Sequence, residues 1–281
     1  MTTSATPQPA PRPDTRVVPQ NLDRIAVDGI ELEYRQIGRR EEWAPTLVFL
    51  HEGLGSAGLW RDFPDRLCQF TGCGALIVSR QGHGHSAPLP RNSDGEVDPD
   101  PDYLKHEADV VLPRVLDRFG VERALFMGHS DGGTIALMFA AQHPRRTIGC
   151  IVEAPHVMVE DITVRGIKRA GRAYASGDLK NGLAKYHADP EGVFQRWYRT
   201  WTHPSFIEWN MLNRLPQISC PVLGIQGEED QYGSFNQLTT IRDSIAGTTH
   251  MQGFKNCGHT PHGEYPELVI DSILKFLPKC R

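Results

Sequence analysis

Short apolar runs, recurring between helix-like segments, constrain this chain more than any other feature. TLVFL (46–50), ALIVS (75–79), ALFM (124–127), IGCIV (148–152), PVLGIQ (221–226) and MQGF (251–254) are four to six residues long. Most are apolar throughout rather than alternating, the pattern of strands covered on both faces. Helices are expected over 60–70, 103–119, 134–142 and 267–277. In the second, Leu104, Ala108, Val111, Leu112, Val115 and Leu116 fall on one face of a 3.6-residue period. Strands alternating with helices imply βαβ units, and so a mostly parallel, twisted α/β sheet with helices on both faces. RIAV-DG-IELEY adds an antiparallel hairpin at one edge, because Asp28-Gly29 suits a two-residue turn.

The alternation fails once. Nearly seventy residues after Val152 contain no strand-like run and are rich in Arg, Tyr and Trp. The expected organisation is therefore a core of residues 22–154 and 215–281, with 155–214 inserted as a helical cap. Residues 1–21, rich in Pro, Thr and Ser, read as a disordered lead-in without the apolar stretch of a secretory signal.

The formal net charge of −4 offers no electrostatic footprint for nucleic acid or acidic lipid. No run approaches the roughly eighteen apolar residues of a membrane span. Six cysteines lack metal-ligand or disulfide-framework spacing, which suggests a reducing, cytoplasmic setting. Nothing in the sequence decides between monomer and homodimer.

The chemistry concentrates in GHSDGG (128–133), between the run ALFM and the expected helix 134–142. G-x-S-x-G in that position marks a sharp strand-to-helix turn. Small residues two positions either side let the backbone fold tightly, and Ser130 is lifted above the strand ends as a nucleophile. A serine needs a base, and the base an orienting acid. Downstream, GEED places Asp230 after one strand and NCGH places His259 after the last. Glu153, at the end of IGCIV, and Glu228 and Glu229 are rivals for the acid.

These motifs, with HEGLGS (51–56) and SRQGHGHS (79–86), resemble the α/β-hydrolase superfamily from about Leu22 to the C-terminus. The resemblance implies a Ser130, His259, Asp230 triad and an oxyanion hole made by the N–H groups of Gly53 and Asp131. Leu54 is the alternative donor if the loop register shifts. The Asp131 carboxylate is expected to point away from His259. HEGLGS departs from the commoner form, which has glycine directly after the histidine. Glu52 stands there instead, expected either to be turned away and bonded, for example to Arg80, or to contact a polar substrate group.

Glu52, Leu54, His129, His156, Trp197 and Trp201 are candidate substrate contacts. Phe194, Trp197, Tyr198 and Trp201 follow i, i+3, i+4, i+7 spacing, fit either for packing the cap or for roofing an apolar pocket. Arg165, Lys168, Arg169 and Arg172 repeat that spacing in cations, as a solvated face or a dock for an anionic tail. His83 and His85 form an H-x-H pair with no carboxylate at ligand spacing, so no metal is expected, and no organic cofactor either. The expected function is a serine hydrolase of a carboxylic ester, lactone or thioester. A carbon–carbon bond hydrolase or cofactor-free perhydrolase on the same triad is the alternative, as is a small-molecule binding protein on this scaffold.

Overall fold

The computed structural model describes residues 22–39 and 44–280. The expected lead-in over 1–21 lies outside them. Eight strands form one sheet: β1 (Asp23–Val27), β2 (Ile30–Ile37), β3 (Thr46–Leu50), β4 (Gly74–Val78), β5 (Ala124–His129), β6 (Thr147–Glu153), β7 (Val222–Gly227) and β8 (Thr249–Phe254). Their order is β1-β2-β4-β3-β5-β6-β7-β8. β1 and β2 are antiparallel additions at one edge, and β4 to β8 pair in parallel.

Both faces of the central strands are buried, which is why their sequences do not alternate. In β5, Ala124 and Phe126 join the core on one face while Leu125 and Met127 join the other. Val48 and Leu50 of β3 divide from Leu47 and Phe49 in the same way. Each of the larger side chains among these contributes roughly 1.5–3 kcal/mol on full burial.

The helices are α1 (Phe63–Thr71), α2 (Tyr103–His106), α3 (Leu112–Arg118), α4 (Asp131–Gln142), α5 (Asp161–Ala175), α6 (Asp178–Leu183), α7 (Pro190–Trp201), α8 (Asn236–Ser244), α9 (Pro261–Glu264) and α10 (Pro266–Phe276). Three differ from the sequence expectation for identifiable reasons. α1 begins at Phe63 rather than residue 60, because Arg61 takes φ 51° and breaks the preceding 3-10 turn. The helix expected over 103–119 carries a wider π turn at Glu107–Val111 just before Pro113, whose ring nitrogen has no hydrogen to donate to the turn before it. α4 starts at Asp131, directly after the serine.

β3 lies between β4 and β5, so the chain leaves it in one direction and returns on the other side. Ligand crevices form at such a reversal, beyond the carboxyl ends of the strands. The loops after β3 and β5, HEGLGS and the Ser130 turn, meet there. Gly132 makes the meeting possible: a Cβ on it would lie 1.9 Å from the Leu50 carbonyl oxygen. Between β6 and β7 the chain forms α5, α6 and α7.

Candidate active site

Ser130 sits at φ 52°, ψ −116°, a conformation that side chains rarely adopt and that persists only when its surroundings enforce it. Its N–H donates to the Glu153 carbonyl (2.8 Å) and its carbonyl accepts from the Thr134 N–H (3.0 Å). On the inner side of the turn, a Cβ on Gly128 would lie 2.2 Å from the Gly132 oxygen. The turn therefore closes only with glycine there. Asp131 is the first residue of α4, where an N–H has no carbonyl of its own helix to meet.

His259 Nδ1 lies 2.8 and 2.9 Å from the two carboxylate oxygens of Asp230. Asp230 also accepts from the Gln226 amide (2.5 Å) and the N–H groups of Tyr232 (2.8 Å) and Gly233 (3.3 Å). Burial alone would raise this carboxyl, but the His259 imidazole, the Tyr232 N–H and nearby His156 together hold it below the usual carboxylate range. The rival Glu153 is engaged elsewhere, with His262 Nδ1 at 2.5 Å. His129 braces His259 from behind, its Nε2 2.7 Å from the His259 carbonyl.

The loop after β3 is held by its carbonyls. Arg80 donates to the oxygens of His51 (2.7 Å) and Glu52 (3.0 Å). His83 Nε2 is 3.1 Å from the Gly53 oxygen, and His187 Nε2 is 2.9 Å from that of Leu54. His187 Nδ1 accepts the Gly84 N–H (2.9 Å), which leaves the proton on Nε2 for Leu54. Burial, with Arg80 close by, holds His51 and His83 well below the ordinary histidine value, and burial lowers His187 too.

Glu52 does not meet Arg80 through its carboxylate as the sequence suggested. Arg80 takes the Glu52 backbone oxygen, while Glu52 Oε2 accepts the Leu54 N–H at 2.6 Å. That bond engages the Leu54 N–H and leaves Gly53 as the loop's candidate oxyanion donor. The Arg80 guanidinium instead stands 3.9 Å from the Asp131 carboxylate. Tyr103 donates its hydroxyl to Asp131 Oδ2 and accepts from Trp201 Nε1 (2.8 Å). Asp131 thus bonds to Tyr103, and the imidazole of His259 to Asp230. Burial raises the Asp131 carboxyl, partly offset by Arg80.

Ser130 and His259 open onto one cavity of about 340 Å³. Glu52, Gly53, Leu54, His129, Asp131 and His156 line it, as do Trp197 and Trp201. Asp230 lies behind His259. The aromatic stripe divides its work: Trp197 and Trp201 reach the cavity, while Phe194 stacks on Tyr174 with ring centroids 3.6 Å apart and on Tyr198 at 5.3 Å. Arg165, Lys168, Arg169 and Arg172 are exposed on α5. His83 serves the loop after β3, whereas His85 Nδ1 meets Glu33 at 2.8 Å.

Sequence reasoning missed Tyr232, Ile167 and Tyr186 on the cavity, and Tyr103 and His187 behind it. Tyr232 follows Asp230 by two residues, a proximity that could have flagged it. The others come from segments distant in sequence and had no local signal.

Among curated proteins, the chain is 24% identical over 266 residues to the 2-succinyl-6-hydroxy-2,4-cyclohexadiene-1-carboxylate synthase of Salmonella typhimurium, covering 83% of this chain and 94% of that one. Among solved structures it resembles the enol-lactonase of Burkholderia xenovorans, with TM-score 0.71, 22% identity, and 91% and 100% of the two chains covered. An esterase of Thermogutta terrifontis matches with TM-score 0.69, 20% identity, and 92% and 99% coverage. A sequence profile described as the alpha/beta hydrolase family matches residues 47–272, the span from β3 into α10 that carries the serine turn, the aspartate and the histidine. The chain belongs to the alpha/beta hydrolase family.

Proposed function

We propose that the protein is a serine hydrolase that cleaves a carboxylic ester, lactone or thioester through an acyl-enzyme. The observation that carries this reading is the bond of His259 to Asp230 beside a cavity shared with the strained Ser130. His259 takes the Ser130 proton as the oxygen attacks the carbonyl carbon. The C–O or C–S bond to the leaving group then breaks, and His259 returns the proton to it. Water, deprotonated by His259, hydrolyses the acyl-enzyme. Asp230 fixes the imidazole tautomer and stabilises its charged form. The N–H groups of Gly53 and Asp131 receive the oxyanion, beside a helix N-terminus that favours negative charge.

Helices α5 to α7 serve as the cap, and α7 touches the reaction centre. A Cβ on Gly53 would lie 2.3 Å from Trp197 Cδ1. Gly53→Ala is expected to displace the donor and lower kcat/KM about 10²- to 10³-fold. Adding Trp197→Ala should recover part of that loss; no recovery would mean that the collision is not the cause.

His187, between α6 and α7, is a positioning residue for the same loop. His187→Ala should lower kcat about tenfold, the worth of one buried hydrogen bond, with KM little changed. His187→Gln keeps a donor and should restore part of kcat, whereas a loss confined to KM or to melting temperature would deny the positioning role.

No helix among the described residues is long and apolar enough to cross a membrane. The free thiols of Cys73, Cys150, Cys220, Cys257 and Cys280 favour a reducing compartment such as the cytoplasm. The reading is tested by fluorophosphonate labelling and by a hydrolysis panel of esters, lactones and acyl thioesters. Wild-type protein that neither labels nor turns over any of them would overturn it in favour of a binding role.

A further inference from the structure

We propose that the cavity selects substrates carrying a protonated primary amine near the scissile carbonyl, with Glu52, Asp131 and His156 as its acceptors. The inference rests on the hydrolase reading and names the substrate class of that site.

The polar groups at the inner end of the cavity are acceptors in excess. His156 Nε2 faces the Tyr232 carbonyl at 3.1 Å and so carries the ring proton. Its Nδ1 is then an acceptor, buried and without a hydrogen-bond partner. Asp131 Oδ1 is likewise buried and unpartnered, although its sister oxygen is held by Tyr103. Asp131 lies within electrostatic reach of both His156 and Glu52. The Glu52 carboxylate uses one oxygen on the Leu54 N–H and is partly exposed on the cavity.

From within, one cation answers the two carboxylates: Arg80, 3.9 Å from Asp131 Oδ2, so one negative charge of the pair is left without a partner. No Lys or Arg is among the residues that line the cavity. Arg80 lies behind the loop, its guanidinium shared between two backbone carbonyls and Asp131 Oδ2, and the four cations of α5 are exposed. An ammonium group offers three donors, one positive charge and no acceptor, which is the complement of this set. Trp197 and Tyr232 line the same walls, and aromatic rings attract such a cation.

The reaction itself makes the same demand. Two carboxylates flank the N–H groups assigned to the oxyanion, and their repulsion opposes its formation in a site of low dielectric. A substrate ammonium group beside them offsets that repulsion. Burial raises the Glu52 carboxyl, as expected of an acid whose counter-charge arrives with the ligand. The synthase relatives are named for a product bearing succinyl and carboxylate groups. A dianion of that kind would face the carboxylates of Glu52 and Asp131 on the cavity wall.

The test compares benzyl esters of glycine, β-alanine and 4-aminobutanoate with those of propanoate, butanoate and pentanoate, their neutral counterparts in shape. At pH 7 the amine should win by about tenfold or more in kcat/KM at one chain length at least. In Glu52→Gln that ratio should fall about tenfold. Butylammonium should inhibit the wild type about tenfold more tightly than butanol, a measurement that needs no variant to fold. Fluorophosphonate labelling of Ser130 separates the two readings. Protein that labels but shows no amine preference at any length, or keeps the full preference in Glu52→Gln, overturns the amine proposal alone. Protein that does not label overturns the hydrolase reading and this proposal with it.

Discussion

Ser130→Ala is expected to lower kcat/KM by about 10⁴- to 10⁶-fold for any ester that the wild type hydrolyses, and to abolish fluorophosphonate labelling. The size follows from the chemistry. Without the hydroxyl there is no acyl-enzyme, and what remains is whatever the N–H groups and substrate binding do for direct attack by water. The fold should survive, because the strained backbone at Ser130 is enforced by the Glu153 and Thr134 bonds and by Gly128 and Gly132, none of which involves the hydroxyl. Alanine at φ 52° is no more strained than serine. Melting temperature should therefore shift by only a few degrees while activity vanishes. Residual turnover above about 1% of wild type, in protein free of contamination, would show that another residue is the nucleophile.

Asp230→Asn is expected to lower kcat by about 10⁴-fold with a smaller change in KM. The Asp230 carboxylate accepts from Nδ1 of His259, so the proton sits there and Nε2 is free to take one from Ser130. An amide in its place can donate to Nδ1 and so favour the opposite tautomer. It also loses the negative charge that stabilises the imidazolium. Because the carboxyl is held below its ordinary range, the group is ionised throughout the neutral region, and the deficit in the variant should persist from pH 6 to 9. The matching Glu153→Gln change should cost far less activity, since Glu153 partners His262. Equal losses in the two variants would return Glu153 to contention as the orienting acid.

Much of this architecture is legible in the chain. The buried strands announce themselves by continuous apolar runs, and the Ser130 turn by glycines two positions on either side. Asp230 and His259 could be chosen because each follows a strand, and strand ends are where a parallel sheet gathers its chemistry. What was illegible is what depends on contacts across long sequence distances. α8 escaped notice because its core-facing positions include Gln237, a buried amide that meets the Val157 N–H (2.8 Å) and the Met158 carbonyl (3.0 Å). No periodicity of apolar residues reports such a polar anchor. For Glu52 the sequence suggested Arg80 or a substrate group as partner, whereas its carboxylate bonds within its own loop. A carboxylate two residues before an N–H bonds it more readily than it crosses to an arginine already committed to carbonyls. The role of His187 rests on a contact 133 residues away in sequence.

That contact bears on how such an enzyme can be re-engineered. A segment that only roofed the cavity could be exchanged to tune substrate choice while leaving turnover alone. Here residues 155–214 carry the donor to the Leu54 carbonyl and the indole that rests against Gly53. A transplanted segment lacking a histidine at that position would arrive with one fastening of the loop after β3 undone. Libraries built on 155–214 should thus scatter in speed as well as in preference, and variants that keep His187 and Trp197 should form the fast subset.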